Sequence, residues 1–328
     1  MKSQAVLFTA PYKVELGEID LPEMTQTSML IKTIYSGLSV GTERWWLIGK
    51  RPEGFFPSVP GYQGVGTVIE VGDQVRRFKV GDVVFFRKSR LPEPYGRSWM
   101  GSHLALAVCD ENDHVFKVPN GCDLREAAVS ALPAVSFMGI GMAKPKRGEF
   151  VVVIGQGMIG QCSAQLCRGL GCFVVTADRL PLRVRLSAEY SSDRAVNVDE
   201  ENLADVVRQL KPDGADLVIE TSGVAELAEL CIELIRVRGR VCFQGWYPNF
   251  IPIHFHRAHA KWLTAYFPCS HTLQDQLRSL RLCKRGKLKL LPLITHCISA
   301  SEAPKVYEMV LNHPEEFVGV VLDWSHIQ

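Results

Sequence analysis

The fold is decided by the stretch FVVVIGQGMIG, which occupies residues 150–160. Its first five residues are apolar and mostly β-branched, a pattern typical of a parallel strand that is buried on both faces. In the turn that follows, Gly155 permits a tight bend, Gly157 lets the backbone approach a pyrophosphate, and Gly160 lets the next helix pack closely on the strand. The stretch therefore predicts a strand, a phosphate-binding turn and a helix.

The residues after the first glycines complete a dinucleotide-binding unit. Met158 and Ile159 belong to the phosphate-binding turn. Residues 161–170 predict the helix, and residues 173–177 predict a second buried strand that is followed by Asp178. A carboxylate at this point can accept hydrogen bonds from both hydroxyls of an adenosine ribose, and it repels the extra phosphate of NADP. The unit therefore predicts NAD as the cofactor.

Two arginines after this acid bear on the choice between NAD and NADP. Arg179 and Arg183 follow Asp178, and arginine side chains can hold the 2′-phosphate of NADP. They can equally stack on adenine or line the edge of the pyrophosphate. We count both as candidate cofactor contacts, and the carboxylate favours NAD over NADP.

The composition is that of a globular protein with room for two domains. The chain has 328 residues, of which 47% are hydrophobic and 22% are charged, and its formal net charge is +2. Because the basic residues are spread among acids, neither nucleic acid nor an anionic membrane is expected as a partner. With no signal-peptide pattern and no apolar run near the roughly 20 residues that span a bilayer, we expect a cytoplasmic protein that acts on a small molecule. The ten cysteines form no C-x-x-C pair and predict free thiols.

The N-terminal third has a different character from the glycine turn and its surroundings. Short apolar runs alternate with Gly and Pro turns, which indicates an irregular, mainly β domain. The predicted strands are residues 4–8, 29–35, 66–71, 82–86 and 103–108. Residues 124–142 then predict helical structure, which leads into the strand at residues 150–154.

Strands and helices continue to alternate after Asp178. Residues 215–220 and 239–243 predict buried strands, and residues 225–235 predict a helix between them. Such alternation implies a parallel sheet in an α/β fold. Towards the C-terminal end, residues 272–286 predict a helix, and residues 290–321 predict a strand, a helix and a strand.

Two loops in this region are candidates for contact with the nicotinamide half of the cofactor. In open parallel sheets, ligands lie beyond the carboxyl ends of the strands. The loops Thr221-Ser222-Gly223 and Gln244-Gly245-Trp246 follow two predicted strands, so Ser222 and Gly245 are candidate cofactor contacts. The alternative is that these are ordinary turn glycines.

Several motifs occur in the order found in one large enzyme family. They are SGLSVGTE at residues 36–43, VPGYQGVG at residues 59–66, Val71-Gly72, Val80-Gly81-Asp82, the glycine turn at residues 155–160 and LITH at residues 293–296. Over nearly its whole length, the chain resembles the medium-chain dehydrogenase/reductase family. The resemblance implies a GroES-like, mainly β catalytic domain and a Rossmann domain with a doubly wound parallel sheet, with hydride transfer in the cleft between them. The catalytic domain would comprise residues 1–125 and 285–328, and the Rossmann domain residues 126–284.

The zinc ligands of that family's alcohol and polyol dehydrogenases are replaced in this chain. The family's cysteine before Gly-Thr-Asp corresponds to Ser39 or Val40, and the histidine of its Gly-His-Glu motif corresponds to Tyr62. The third ligand position falls near Ala131. None of these side chains is a good ligand for Zn²⁺, which prefers thiolate, imidazole or carboxylate. The structural zinc site needs four cysteines, but residues 86–109 contain one, so we expect no zinc at either site.

Without a metal, protein side chains have to manage the proton of the reaction. Tyr62 has a phenol that could donate to a developing alkoxide, and Thr42 could hydrogen-bond the reacting oxygen and relay its proton. Glu43 could orient them. Tyr62 could instead be a packed aromatic that fills the space of the lost metal, and Glu43 could pair with Arg44 or cap a helix.

Four tryptophans are candidate substrate contacts. Trp45, Trp46, Trp99 and Trp246 fall in loops that the family places around the mouth of the cleft. Flat rings suit flat or sugar-like substrates, although packing in the core explains such residues as well.

The histidines do not predict a metal site. If residues 251–256 are extended, His254 and His256 share one face, but two imidazoles without a thiolate or carboxylate make an incomplete site. These two and His259 are expected to line the substrate cleft or a subunit edge. His103 is expected at an interface.

The N-terminal motifs are similar to those of the bacteriochlorophyllide dehydrogenases, which oxidise a hydroxyethyl side chain on a chlorin. We therefore expect a zinc-independent oxidoreductase that transfers hydride between NAD(H) and a secondary alcohol or ketone on a polyol, a sugar derivative or a ring side chain. An NADPH-dependent quinone or enone reductase and a non-catalytic dinucleotide-binding protein are the alternatives. Because family members are commonly dimers or tetramers, we expect a homo-oligomer. The apolar run at residues 239–246 would be either an edge strand in that assembly or a buried interior strand.

Overall fold

The computed structural model describes residues 1–97 and 99–327, which form two compact units. One unit comprises residues 1–130 and the chain from residue 294 onward, and the other comprises residues 131–293. These boundaries lie five and nine residues after those expected at 125/126 and 284/285. The difference arises because a short helix after residue 123 stays with the first unit and a turn before residue 294 stays with the second.

Residues 1–130 form mainly antiparallel strands with short helices. The strands are β1 (Lys2–Ala10), β2 (Lys13–Asp20), β3 (Ser28–Gly37), β4 (Gly64–Val71), β5 (Val83–Phe86), β6 (Leu106–Asp110) and β7 (Val115–Lys117), and the helices are α1 (Val40–Leu47) and α2 (Leu124–Ala128). β1 and β2 form a hairpin, and β3 pairs with both β4 and β6. The five predicted strands overlap β1, β3, β4, β5 and β6, whereas β2 and β7 were not predicted.

Residues 131–293 alternate helices with parallel strands. The elements are α3 (Ala131–Ala143), β8 (Phe150–Ile154), α4 (Met158–Gly169), β9 (Phe173–Asp178), α5 (Pro181–Tyr190), β10 (Arg194–Asn197), α6 (Leu203–Leu210), β11 (Ala215–Glu220), α7 (Leu227–Leu234), β12 (Ile235–Phe243), α8 (Phe255–Ala260), β13 (Thr264–Tyr266) and α9 (Leu273–Lys284). The strand order is β10-β9-β8-β11-β12-β13, with every pairing parallel. The order reverses between β8 and β11, which is where open α/β sheets bind ligands.

The surroundings of β8 explain why polar and apolar residues do not alternate in this strand. Val152 and Ile154 pack into the core on one face of the sheet, and Val151 and Val153 pack into the core on the other face. All five residues of the strand are buried. A strand covered on both faces needs apolar residues at every position.

The remaining elements return to the first unit. They are β14 (Ile294–Ser299), α10 (Ala303–Asn312) and β15 (Gly319–Asp323), which matches the predicted strand, helix and strand. β14 pairs with β15 in parallel, and β15 pairs with β3 in antiparallel, so the end of the chain completes the sheet of the first unit. The predicted combination of a mainly β unit with a doubly wound α/β unit is confirmed.

One further expectation is decided by these elements. The apolar run at residues 239–246 contains the end of β12, which lies between β11 and β13 and is therefore an interior strand. Among the described residues, none of the helices combines the length and apolar character needed to cross a bilayer.

Candidate functional site

The glycine turn of the second unit has two positions that require glycine. Gly155 has a φ of +85°, in the left-handed region that L side chains rarely adopt. A Cβ atom on Gly160 would lie 1.9 Å from the carbonyl oxygen of Gly155, whereas a Cβ atom on Gly157 would meet no atom within 4 Å. Met158 and Ile159 open α4, whose N-terminus favours negative charge. The residues present therefore fit a pyrophosphate group, with open space at Gly157 for its approach.

Asp178 ends β9, and the backbone of the glycine turn holds its carboxylate. One oxygen accepts a hydrogen bond from the backbone N–H of Gln156 at 2.6 Å, and the other accepts one from the backbone N–H of Leu180 at 3.0 Å. A carboxylate oxygen has two lone pairs, so each can still accept a bond from a ribose hydroxyl. The acid predicted to select the cofactor is thus oriented by the turn that would bind the pyrophosphate.

The two arginines after this acid have different surroundings. Arg179 is 72% exposed, and its Nε lies 3.7 Å from the carboxylate of Asp199. Arg183 is largely buried, with Nη1 3.9 Å from the carboxylate of Asp178. Burial lowers the pKa of Arg183, and the charge of Asp178 opposes that effect. Arg183 is therefore the arginine that adjoins the predicted ribose contact.

A buried carboxylate that was absent from the predicted site organises the loops after β11 and β12. Glu220 accepts hydrogen bonds from the backbone N–H groups of Ser222 at 2.7 Å and Gly223 at 3.3 Å. The hydroxyls of Ser222 and Tyr247 also donate to it, and its own carbonyl oxygen accepts from the N–H of Gly245 at 3.0 Å. Burial raises the pKa of Glu220, and the hydrogen bonds lower it. Ser222 and Gly245 thus meet around one residue, whose signal in the sequence was an acid at the end of an apolar strand.

In the first unit, three hydroxyl groups form a hydrogen-bonded chain. The phenol of Tyr62 donates to Ser39 Oγ at 2.7 Å, and Ser39 Oγ donates to Thr42 Oγ1 at 3.2 Å. Tyr62 and Ser39 are buried, whereas Thr42, in the first turn of α1, is half-buried. Burial raises the pKa of Tyr62, and its hydrogen bond to Ser39 offsets part of that rise. At neutral pH the phenol stays protonated, and the chain donates toward Thr42.

Glu43 lies behind this chain and is completely buried. It accepts hydrogen bonds from the backbone N–H of Ser39 at 2.7 Å, from His103 Nε2 at 3.1 Å and from the hydroxyl of Tyr307. Burial, followed by the charge of Glu43, raises the pKa of Tyr307. Glu43 does not pair with Arg44, whose guanidinium lies over Trp45. Its carboxylate therefore positions Ser39, and through Ser39 the other two hydroxyls.

His103 is part of the same buried network, so its expected place at an interface was wrong. Its Nδ1 lies 2.8 Å from Ser36 Oγ, which accepts a hydrogen bond from the indole N–H of Trp324 at 2.8 Å. Its ring also packs on Gly61, where a Cβ atom would lie 2.6 Å from the ring and where φ is +83°. His103 thereby supports the turn that carries Tyr62. These partners are far apart in sequence, and no spacing pattern indicated that they meet.

The side chains at the expected zinc positions have the wrong donor atoms for a zinc ion. Ser39 and Tyr62 offer hydroxyl groups that hydrogen-bond each other, and Zn²⁺ prefers thiolate, imidazole or carboxylate in a tetrahedral set. Within residues 1–97 and 99–327, the group of three potential ligands that lie close enough to share an ion is His313, Glu315 and Glu316, all exposed. The residues around Ser39 and Tyr62 therefore do not fit a catalytic zinc ion.

The four tryptophans have different environments. Trp45 and Trp246 are half-buried, and Trp246 lies in the loop that follows β12. Trp99 is also half-buried, with its ring centroid 5.4 Å from that of Tyr62. Trp46 is completely buried and donates its indole N–H to Ser58 Oγ at 3.1 Å, so it packs in the core and its assignment to the substrate was wrong.

The histidines near residue 256 lie on a helix, and the extended conformation considered for residues 251–256 was wrong. α8 spans Phe255–Ala260, with His254 at its N-cap position. The rings of Phe255 and His259 stack with centroids 5.4 Å apart, which is the i, i+4 spacing of a helix. His254 and His256 therefore do not share the face that a strand would give them.

Each of the two units is similar to known proteins. Residues 25–120 match the family model of the alcohol dehydrogenase GroES-like domain, and residues 159–272 match that of the zinc-binding dehydrogenase. L-threonine 3-dehydrogenase of Vibrio cholerae is 26% identical over 349 aligned positions, covering 99% of this chain and all of that protein. Sorbitol dehydrogenase 1 of Saccharomyces cerevisiae is 27% identical, covering 81% of this chain and 82% of that protein.

A solved structure shares the fold over almost the whole length of the chain. The zinc dependent alcohol dehydrogenase 2 of Streptococcus pneumonia superposes with a TM-score of 0.88 at 19% identity, covering 99% of each chain. At this identity the similarity concerns the fold, which has the same GroES-like and Rossmann units.

Proposed function

We propose that this chain, which belongs to the medium-chain dehydrogenase/reductase family, is an NAD(H)-dependent oxidoreductase that interconverts a secondary alcohol and a ketone without a catalytic zinc ion. The family and its alcohol and polyol dehydrogenases support the reaction class. The observation that supports the zinc-free mechanism is the 2.7 Å hydrogen bond between Tyr62 and Ser39. By the sequence resemblance, Tyr62 corresponds to the family's zinc-binding histidine, and Ser39 or Val40 corresponds to its cysteine. Candidate substrates are polyols, sugar derivatives and a hydroxyethyl group on a ring, such as that of a bacteriochlorophyllide.

The second unit would bind the cofactor through its own backbone and one carboxylate. The turn at residues 155–160 would hold the pyrophosphate, and Asp178 would accept hydrogen bonds from the adenosine ribose with Arg183 beside it. Ser222 and Gly245, held around Glu220, would contact the nicotinamide half. When bound, the nicotinamide ring supplies the hydride acceptor or donor.

The first unit would move the proton. In ketone reduction, Thr42 would donate its hydroxyl proton to the developing alkoxide, Ser39 would replace that proton, and Tyr62 would in turn donate to Ser39. The phenolate left on Tyr62 would then take up a proton from solvent before the next turnover. In alcohol oxidation the proton would travel in the opposite direction and end on the Tyr62 oxygen, so that direction requires Tyr62 in its phenolate form, which the raised pKa confines to alkaline pH. Hydrogen-bond donors that are already aligned stabilise charge at the reacting oxygen without reorganisation, which is the task of zinc elsewhere in the family.

Glu43 would act as a positioning residue in this mechanism. It is bound to the backbone N–H of Ser39 and has no hydrogen bond to Thr42 or Tyr62. Its charge nevertheless raises the pKa of Tyr62, after burial and against the bond to Ser39. Burial and the charge of Glu43 both favour a protonated phenol that donates to its neighbour.

We also propose a homo-oligomer. All residues of the second unit are described. β13 lies at one edge of its six-stranded sheet and pairs with β12 on one side. Its other edge has unpaired N–H and C=O groups that another chain could extend. Light scattering should give a dimer or a tetramer, and a monomer at micromolar concentration would contradict the proposal.

The experiment is a matrix of cofactors and substrates on the purified protein. NAD(H) and NADP(H) are each tested with secondary alcohols, their ketones, and enones, before and after dialysis against a chelator, with elemental analysis for zinc. We expect turnover of alcohols and ketones with NAD(H), below 0.1 equivalent of zinc, and activity that survives chelation. Turnover of enones with NADPH alone would instead support a quinone or enone reductase, and nucleotide binding without turnover would support a non-catalytic protein. Stoichiometric zinc whose removal abolishes turnover would overturn the zinc-free mechanism.

A further inference from the structure

Arg87 differs from the other partly buried arginines because it has an aromatic partner and no acidic one. It follows β5, and its guanidinium carbon lies 5.4 Å from the ring centroid of Trp99 and 5.9 Å from that of Tyr62. The described part of the chain, residues 1–97 and 99–327, provides no carboxylate within 4.0 Å of this group and no hydrogen-bond acceptor for its N–H donors. Arg87 therefore carries a positive charge that no acidic group among the described residues neutralises.

The paired arginines show what this chain does elsewhere. Arg236 lies 2.6 Å from a carboxylate oxygen of Asp216, and Arg240 lies 2.5 Å from one of Glu149. Their side chains are 34% and 15% exposed, so each of these partly buried charges is paired with a carboxylate. Arg87 is also partly buried, but it lies on two rings whose faces attract a cation while leaving its N–H groups unused.

We infer that Arg87 binds an anionic group of the substrate, a carboxylate or a phosphate, next to the hydroxyl chain that handles the proton. A guanidinium group presents its N–H donors in a planar fork that matches two oxygens of a carboxylate or phosphate. The rings of Tyr62 and Trp99 hold the fork in place, and Trp99 is half-buried, so its surface is reachable from solvent. The inference rests on the proposed function, because it takes Tyr62 as part of the catalytic site.

The position of Arg87 also limits the shape of the substrate. Its guanidinium lies over the ring of Tyr62, the residue whose hydroxyl begins the chain to Ser39 and Thr42. A substrate would have to contact Arg87 with its anionic group and Thr42 with its reacting oxygen. A hydroxy acid and a polyol phosphate each carry both of these groups.

The test compares matched charged and neutral substrates. Galactitol 1-phosphate is paired with galactitol, and 3-hydroxybutyrate is paired with 3-hydroxybutanamide, so the two arms distinguish phosphate from carboxylate. For the wild type we expect kcat/KM at least about 10-fold higher for the charged member of one pair, since a charge-assisted hydrogen bond contributes at least that factor. Arg87→Gln should reduce this ratio about 10-fold, mainly through KM, and Arg87→Lys should reduce it less because it retains charge but not the fork. Arg90→Gln removes an exposed arginine nearby and should leave the ratio at its wild-type value.

A charged-to-neutral ratio near one in both pairs, or a ratio that Arg87→Gln leaves unchanged, would overturn the inference while the proposed function stands. If no alcohol is turned over, the anion site is tested by measuring the binding of inorganic phosphate and of acetate through tryptophan fluorescence. Binding that Arg87→Gln abolishes and Arg90→Gln retains supports an anion site even though the proposed function fails. Absence of binding to the wild-type protein refutes the site.

Discussion

The glycine turn of the second unit and the hydroxyl chain of the first unit achieve their geometry in opposite ways. At residues 155–160 the decisive groups are backbone atoms, and the turn keeps its shape because its glycines have no side chain. At residues 39–62 the decisive groups are side chains, and they are held by Glu43, His103 and Tyr307. The glycine turn is therefore specified locally, whereas the hydroxyl chain needs the folded unit around it. Changes in the glycine turn should therefore alter nucleotide affinity, and changes in the hydroxyl chain should alter the chemical step.

The largest expected effect comes from Tyr62→Phe, which removes the first hydroxyl of the chain. We expect kcat to fall by about 10²-fold or more, because that is the usual contribution of a positioned proton donor. The affinity for NADH should not change, and the free energy of unfolding should fall by about 1 kcal/mol for one lost hydrogen bond. Steady-state kinetics, NADH titration and denaturant unfolding measure the three quantities. Tyr12→Phe, at an exposed tyrosine, is the control, and a kcat within twofold of wild type would remove Tyr62 from the mechanism.

Two alanine substitutions in the glycine turn separate the effect on stability from the effect on nucleotide binding. Gly160→Ala places a Cβ 1.9 Å from a carbonyl oxygen, so α4 has to shift, and we expect stability to fall by about 1–3 kcal/mol and NAD affinity to fall at least about 10-fold. Gly157→Ala meets no protein atom, so it should preserve stability and still weaken NAD about 10-fold by blocking the pyrophosphate. Isothermal titration and thermal unfolding give both values. Wild-type NAD affinity in Gly157→Ala would mean that the pyrophosphate does not approach this backbone.

Asp178→Asn tests whether a charge, rather than a backbone, selects the cofactor. The amide retains the size of the side chain and one acceptor, but it binds ribose hydroxyls less strongly and no longer repels a 2′-phosphate. We expect NAD affinity to fall about 10-fold and the preference for NAD over NADP to shrink by more. Asp199→Asn, beside the exposed Arg179, is the matched control. An unchanged preference would mean that Asp178 does not select NAD over NADP.

The smallest effect concerns pH. Burial raises the pKa of Tyr62 above its ordinary value of about 10, so the donating form persists through neutral pH and is lost only as pH rises through that higher value. The kcat of ketone reduction at saturating NADH should therefore show no fall attributable to Tyr62 between pH 6 and about 9. A decline with a midpoint below about pH 9 that disappears in Tyr62→Phe would contradict a raised pKa.

The sequence predicted the region around residues 150–178 well because its information is local. An unbroken apolar strand, glycines at fixed spacing and an acid after the next strand each act on their immediate neighbours. Glu220 was missed although it had a local signal, an acid that ends an apolar strand. The fold class followed from the same alternation of strands and helices.

The hydroxyl site could be predicted only in part, because its support comes from distant residues. Thr42 and Tyr62 were found through family motifs, but the bond of Ser39 to both could not be read from spacing. His103, assigned to an interface, and Trp46, assigned to the substrate, are both completely buried. A histidine or a tryptophan in a loop sequence does not reveal whether its polar atom faces solvent or meets a partner from another strand.

The pairing of β15 with β3 has a consequence for how this protein is made. Trp324 is completely buried and bonds to Ser36, a residue 288 positions earlier in the chain. During translation the residues that line this contact leave the ribosome at very different times, so β3 waits with an open edge while residues 131–293, an uninterrupted segment, are already able to fold. We expect the unit that begins first to be finished last, which makes its nascent strands the natural clients of chaperones.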